Sequence, residues 1–219
     1  MGLILDIKLF LNRTQVNLKT SKQRDIAMKI GLYFGTFNPI HVGHLIIANH
    51  LIEHSDLDQL WFVVTPLSPF KKKRSLLDNY QRLEMVHLAT QDYDKLRPSD
   101  IEFGLKQPNY TIDTLAHLFE KYPDYEFALI MGEDNLKSFH KWKNYELILE
   151  HHDIYVYPRL SEGTIETQFD GHKKIHHIDA PIMELSSTFI RTAMKAGKNV
   201  RPMLPEHVWK FVDEMNFYR

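Results

Sequence analysis

An apolar run at residues 29–34 is followed directly by Gly35-Thr36-Phe37-Asn38-Pro39-Ile40-His41-Val42-Gly43-His44. The run has the length and apolar character of a buried β-strand. Gly35 allows a sharp turn and a close approach of the backbone to a ligand, and Pro39 fixes one backbone angle ahead of a helix. A strand, a glycine turn and a helix start in this order predict the first βα unit of a parallel sheet.

Strand and helix signals alternate along the rest of the chain. Short apolar runs typical of strands occur at residues 60–64, 125–131, 153–157 and 174–178. Helical spacing of apolar residues occurs at residues 43–54, 79–90, 110–121 and 187–196, and a last helix starts at Pro205. This alternation predicts an α/β fold of one domain, a Rossmann-like, doubly wound parallel sheet with helices on both faces. Ligands bind such sheets beyond the carboxyl ends of the strands, so functional residues are expected just after each strand.

Composition indicates a globular protein that acts on small molecules. The chain has 219 residues, 43% of them hydrophobic and 25% charged. Its formal net charge of −1 gives no basic surface for a nucleic acid, and the absence of cysteine excludes disulfides and thiolate chemistry. No apolar run is long enough to cross a membrane, and the first residues lack a signal-peptide pattern. We therefore expect no membrane association and a cytoplasmic location.

Residues 1–27 differ from the rest of the chain. One apolar patch is followed by a polar stretch, and the first convincing strand begins only after Met28. We therefore divide the chain into an N-terminal extension, residues 1–27, and a catalytic domain, residues 28–219. The extension is either an appendage before a natural start at Met28 or a helix packed on the domain.

His41 and His44 lie three residues apart at a predicted helix start, so their rings share one face. Two imidazoles beside the free N–H groups of a helix N-terminus form a binding site suited to phosphate groups. A zinc site would need at least one further well-placed ligand. The other histidines, including the His151-His152 and His176-His177 pairs, lack metal-ligand spacing on one face. We therefore expect no protein-held metal.

The stretch at residues 35–44 resembles the H-x-G-H signature of the nucleotidyltransferase superfamily, in the form found in bacterial nicotinate-nucleotide adenylyltransferases. Phe34 replaces the first glycine of the family pattern, and Asn38 replaces its aspartate. Residues 185–191, Leu-Ser-Ser-Thr-Phe-Ile-Arg, resemble the family's I-S-S-T-x-I-R motif. Further matches at residues 69–71, 108–115, 131–136 and 141–143 extend the resemblance over residues 28–219.

The resemblance implies a role for particular residues of this chain. The transferring phosphates would be held by His41, His44 and Arg191. ATP would also be held by Gly35, Thr36, Phe37, Lys71, Asp134, Ser187 and Thr188. The nicotinate group would be held by Thr111 and Trp142. The same residues have simpler interpretations, since Thr111 could cap a helix, the Ser-Ser-Thr run could do the same, and Trp142 could be a core residue.

The implied reaction joins the AMP part of ATP to nicotinate mononucleotide and releases pyrophosphate, with Mg²⁺ bound to ATP. The same reaction on nicotinamide mononucleotide is the nearest alternative. Phosphopantetheine as acceptor and a non-catalytic nucleotide-binding module are less well supported by the intact motifs. A homo-oligomer is left open, because nothing in the sequence sets the oligomeric state.

Overall fold

The computed structural model describes residues 27–67, 76–159 and 167–219, and six parallel strands in these residues form one sheet. The strands are β1 (Met28–Gly35), β2 (Gln59–Val64), β3 (Leu96–Ser99), β4 (Tyr125–Gly132), β5 (Ile154–Tyr157) and β6 (Ile175–His177). The described α-helices are α1 (Val42–His54), α2 (Asn79–Thr90), α3 (Thr111–Lys121), α4 (Glu133–Ser138), α5 (Tyr145–His151), α6 (Ser187–Lys195) and α7 (Glu206–Glu214). Short 3₁₀ turns span Phe139–Lys141 and Arg201–Met203.

The strand order is β3-β2-β1-β4-β5-β6. The chain builds outward from β1 to β3 and then returns to the other side of β1 with β4, where Ile30 pairs with Phe127 and Tyr33 with Ile130. This order confirms the predicted Rossmann-like sheet. Adjacent connections leave β1 and β4 in opposite directions, which opens a crevice at their carboxyl ends.

Helices cover both faces of the sheet. One apolar cluster joins the sheet to α1, α2, α6 and α7, and the other joins it to α3, α4 and α5. Side chains of β1 alternate between them, with Tyr33 in the first cluster and Ile30 and Leu32 in the second. Burial on both faces explains why the central strands are continuous apolar runs.

The structure also contains elements that the sequence patterns did not predict, namely β3, α4 and α5. Strand β3 has four residues, includes Pro98 and lies at the sheet edge, where a residue without an N–H is tolerated. Helices α4 and α5 span six and seven residues, too few to display a helical period. By contrast, the helix predicted at residues 79–90 is present as α2, and Asp78 caps it by accepting a hydrogen bond of 2.8 Å from the Tyr80 amide.

No helix among the described residues is both long and apolar enough to span a bilayer. Residues 1–26, which make up nearly all of the predicted N-terminal extension, lie outside the described part of the chain. The division at Met28 therefore stays a prediction.

Candidate active site

The loop after β1 is shaped by the contact between Gly35 and Phe37. Phe37 has a backbone φ of 45°, and its ring is buried against Tyr33 and Phe62. A Cβ atom on Gly35 would lie 2.7 Å from the Phe37 ring, so glycine is needed here to seat that ring. Only 2% of Phe37 is exposed, which leaves the residue little surface with which to hold adenosine.

His41 and His44 stack at the start of α1. Their ring centroids lie 3.7 Å apart with an interplanar angle of 26°. The His41 amide donates to Nδ1 of His44 over 3.2 Å, so Nδ1 is an acceptor and Nε2 carries the ring proton of neutral His44. Gly43 permits this packing, because a Cβ there would lie 3.1 Å from Nδ1 of His41.

His41 is a neutral group in this arrangement. Burial and, to a smaller extent, the nearby positive charge of Arg159 lower the pKa of His41 to about 4. Its Nδ1 is buried and has no hydrogen-bond partner among the described residues. A neutral imidazole can still donate a hydrogen bond to phosphate, so the positive charge that the described residues bring to the site comes from Arg159 and Arg191.

The start of α6 forms a second wall and is bound to the loop after β1. Ser186 caps the helix, accepting from the Phe189 amide over 3.2 Å. The Ser187 hydroxyl donates to the Pro39 carbonyl over 2.8 Å. Arg191 donates from Nη1 to the Asn38 carbonyl over 2.8 Å, and from Nη2 to the Thr188 hydroxyl over 3.2 Å. The two predicted phosphate-binding motifs are thus hydrogen-bonded to each other.

Asp134 and Arg159 form a third wall, after β4 and β5. Nε of Arg159 lies 3.8 Å from Oδ1 of Asp134, and the Arg159 amide donates to Glu133 over 3.1 Å. Sequence reasoning missed Arg159. It follows β5 by two residues, so a search for polar residues just past each strand would have found it.

These walls enclose a cleft of about 610 Å³ at the carboxyl ends of β1 and β4. That volume is typical of a small-molecule site. Residues of the predicted site that line it are Gly35, Thr36, Phe37, His41, His44, Asp134, Ser187, Thr188 and Arg191. Arg159 and Arg191 are the cationic side chains among the described lining residues. Lys71 lies outside the described residues.

Thr111 and Trp142 do not line this cleft, but their segments lie next to each other. Lys143 forms an ion pair with Asp113 at 2.8 Å, and its ammonium lies 4.9 Å from the centre of the Tyr110 ring. Trp142 is partly buried, with its ring packed edge-on against Phe139 at 5.4 Å. Tyr110 is the residue that precedes α3, so Thr111 is the first residue of the helix and not its cap.

Arg82 is a second residue that sequence reasoning missed. It is fully buried and donates to the carbonyls of Thr36 over 2.7 Å and Thr65 over 3.0 Å. Those carbonyls follow β1 and β2, so Arg82 ties the two loops together beneath the cleft. A lone arginine inside a helix carries no sequence signal of such a role.

No group of three or more histidine, aspartate or glutamate side chains comes together as a metal site within residues 27–67, 76–159 and 167–219. The carboxylate that lines the cleft in this part of the chain is Asp134. This donor set suits a hard cation that arrives with phosphate oxygens better than an ion held by the protein alone.

The fold and the cleft define an α/β protein built to bind a nucleotide, and a model of the cytidylyltransferase-like family matches residues 32–193. A protein from Flavobacterium psychrophilum, named as a probable nicotinate-nucleotide adenylyltransferase, is 69% identical over 192 residues, covering 88% of this chain and all of the relative. A relative of the same name from Cytophaga hutchinsonii is 47% identical over 191 residues, covering 87% of this chain and 98% of the relative. The chain therefore belongs to the nicotinate-nucleotide adenylyltransferases of the cytidylyltransferase-like family.

A solved structure supports the fold at low sequence identity. Nicotinic acid mononucleotide adenylyltransferase of Plasmodium falciparum, complexed with NaAD, superposes with a TM-score of 0.73 at 20% identity. The match covers 87% of this chain and 97% of that one.

Proposed function

We propose that the protein transfers the adenylyl group of ATP to nicotinate mononucleotide, giving nicotinate adenine dinucleotide and pyrophosphate. One observation carries the proposal. The N-termini of α1 and α6 face a single cleft at the point where the strand order reverses, and Arg191 bridges them by donating to Asn38. Two helix N-termini with arginine between them suit a substrate that carries several phosphates. A relative that is 69% identical to this chain is named as a probable nicotinate-nucleotide adenylyltransferase.

The chemistry is an in-line displacement at the α-phosphorus of ATP. A phosphate oxygen of nicotinate mononucleotide forms the new P–O bond, and the bond to pyrophosphate breaks. The attacking oxygen is already anionic, so no general base is needed. The protein must align two polyanions and stabilise the charge that develops on the leaving group.

The phosphate-binding groups act as fixed donors. His44 would donate to a phosphate oxygen from Nε2–H, because its Nδ1 accepts the His41 amide. His41 would donate as a neutral ring, since burial keeps its pKa near 4. Arg191, and Arg159 beside Asp134, would supply positive charge. Lys71 would add to it.

The rest of the ATP subsite is proposed from the cleft lining. Gly35, Thr36 and the backbone of Phe37 would border the adenosine, and Asp134 would accept from a ribose hydroxyl. The amides of Ser187 and Thr188, in the first turn of α6, have no carbonyl partner within the helix and would meet phosphate oxygens, whereas the Phe189 amide is bound by the Ser186 hydroxyl. Thr188 would assist them. The Ser187 hydroxyl already donates to Pro39, so its contribution is to brace the loop.

The acceptor would lie toward Thr111 and Trp142. Thr111 opens α3, and its side chain and the N–H groups at the helix start would bind the pyridine carboxylate. Trp142 would stack on the pyridine ring. The Lys143–Asp113 ion pair holds the two segments together.

Mg²⁺ is proposed to enter as its complex with ATP, where it neutralises phosphate charge. Mg²⁺ keeps several water ligands and needs few from the protein. Asp134 is the described carboxylate that could approach it, directly or through water. A cytoplasmic location and the absence of nucleic-acid or membrane partners stay predictions.

The proposal is tested with ATP labelled at the α-phosphorus and nicotinate mononucleotide as acceptor. The label is expected in the dinucleotide, with unlabelled pyrophosphate released in equal amount. Label in free AMP, or no turnover, would contradict adenylyl transfer and favour hydrolysis or a non-catalytic nucleotide-binding module.

A further inference from the structure

The last four residues of the chain, 216–219 (the tail), fold back toward the active site. Asn216 and Tyr218 have backbone φ values of 52° and 64°, in the left-handed region that asparagine adopts readily and that is uncommon for tyrosine. The Phe217 amide donates to the Val212 carbonyl over 3.1 Å, and the Phe217 ring is 8% exposed. Arg219 forms an ion pair with Asp213. These contacts give the tail one fixed direction.

That direction brings the Tyr218 hydroxyl to the loop after β1. The hydroxyl donates to Oδ1 of Asn38 over 2.7 Å, and the Leu77 amide donates to the same oxygen over 3.3 Å. Asn38 is fully buried. Its backbone carbonyl accepts from Arg191 over 2.8 Å. Asn38 therefore links the tail to Arg191, because its side chain accepts from Tyr218 and its backbone carbonyl accepts from Arg191.

We propose that Tyr218 is a positioning residue for adenylyl transfer, which orients Asn38 and through it the phosphate-binding Arg191 and the loop that leads to His41. This inference rests on the function proposed above. Without the hydroxyl, a buried oxygen of Asn38 loses its shorter hydrogen bond, and the loop shifts to satisfy it. A displacement of about 1 Å in such a loop is enough to reduce turnover while substrates still bind.

The chemistry of the pair suits a permanent contact. Burial raises the pKa of Tyr218 above its ordinary value, against the opposing effect of Arg191 and Arg82. The hydroxyl therefore stays protonated and donates throughout the neutral range. Asn38 accepts this hydrogen bond without adding a buried negative charge, which would be costly to desolvate.

The test is Tyr218→Phe, which removes the hydroxyl and keeps the ring, with Tyr93→Phe as the matched control. Tyr93 is 43% exposed and does not line the cleft. Tyr218→Phe is expected to lower kcat about ten-fold and to change the KM for ATP less than about two-fold. Its Tm should fall by no more than roughly 2–4 °C, the scale of one lost hydrogen bond in a domain of this size. Tyr93→Phe should leave kcat, KM and Tm unchanged.

A purely structural role would lower Tm and leave kcat intact, and that result would overturn the proposal. A double-mutant cycle adds a second readout. Tyr218→Phe should cost nothing further in an Asn38→Ala background, and should still lower kcat in an Asn38→Asp background, which keeps the acceptor oxygen. Equal losses in all backgrounds would show that Tyr218 acts by another route. If the wild-type protein itself released no pyrophosphate, the proposed function would fail and this inference with it.

Discussion

Replacement of His44 tests the assignment of the two stacked histidines to the transferring phosphates. His44 has two roles that substitutions can separate, one seen in the structure and one proposed. Its Nδ1 accepts the His41 amide over 3.2 Å, and its Nε2–H is proposed to donate to a phosphate oxygen. Charge on the leaving group grows as the bond to pyrophosphate breaks, so this donor should bind the transition state more tightly than the ground state. Its loss should therefore appear mainly in kcat.

The expected loss in kcat for His44→Ala is about a hundred-fold or more, the scale seen when one preorganised donor is removed. Two further variants separate the roles of the two ring nitrogens. An asparagine at position 44 can accept the His41 amide but cannot reach the Nε2 position, so His44→Asn should lose as much kcat as His44→Ala while keeping more of the Tm. His44→Gln places an amide donor near Nε2 and should recover part of the loss.

The assay is steady-state pyrophosphate release, with ATP varied at saturating nicotinate mononucleotide. Circular dichroism shows whether each variant is folded. His50→Ala is the matched control, because His50 is on the same helix, stacks on His54 and does not line the cleft. A folded His44→Ala variant with near wild-type kcat would refute the reasoning and make the histidine a structural residue.

Three further predictions follow from other parts of the molecule. Arg159→Gln should raise the KM for ATP about ten-fold by removing a cation from the cleft, with exposed Arg97→Gln as a control that leaves KM unchanged. Burial lowers the pKa of His152 to about 4, and its Nδ1 lies 2.8 Å from the Phe127 carbonyl oxygen. In the unfolded chain the same side chain has an ordinary pKa near 6.5, so the unfolded state takes up a proton first as the pH falls. Chemical denaturation should therefore show that the free energy of unfolding of the wild-type protein falls by about 2–3 kcal/mol more than that of His152→Asn between pH 6.5 and 4. Equal falls in the free energy of unfolding for the two proteins would contradict this prediction. Deletion of residues 1–27 should leave kcat and Tm nearly unchanged, whereas a Tm loss of several degrees would mean that the extension packs on the domain.

The sheet could be predicted from the sequence because its signal is local. Each central strand is a short apolar run followed by a helical period, and right-handed crossovers leave few ways to arrange such units. The ends of α2 were predictable for the same reason, since the Asp78 cap depends on residues within one turn. Strand β3 was not predicted, because a four-residue strand at the edge of the sheet, with a proline in it, shows no run of apolar residues.

Only those residues of the candidate site that belong to a recognisable sequence motif could be predicted. His41, His44 and Arg191 lie in short fixed patterns, and they meet in one cleft. Arg159 and Arg82 carry no pattern, because their roles depend on which loops the fold brings near them. The packing role of Gly35 could not be predicted from the sequence either. It depends on the position of the Phe37 ring, which follows from the left-handed backbone conformation of Phe37.

The central claim is that nicotinate mononucleotide is the acceptor, and the most direct measurement is kcat/KM for pyrophosphate release with each acceptor in turn. The carboxylate site proposed at Thr111 would leave donors mispaired when an amide took the place of the carboxylate. Nicotinate mononucleotide should therefore be used about ten-fold or more efficiently than nicotinamide mononucleotide, with no turnover of phosphopantetheine. Equal efficiency with the two pyridine nucleotides would contradict the claim.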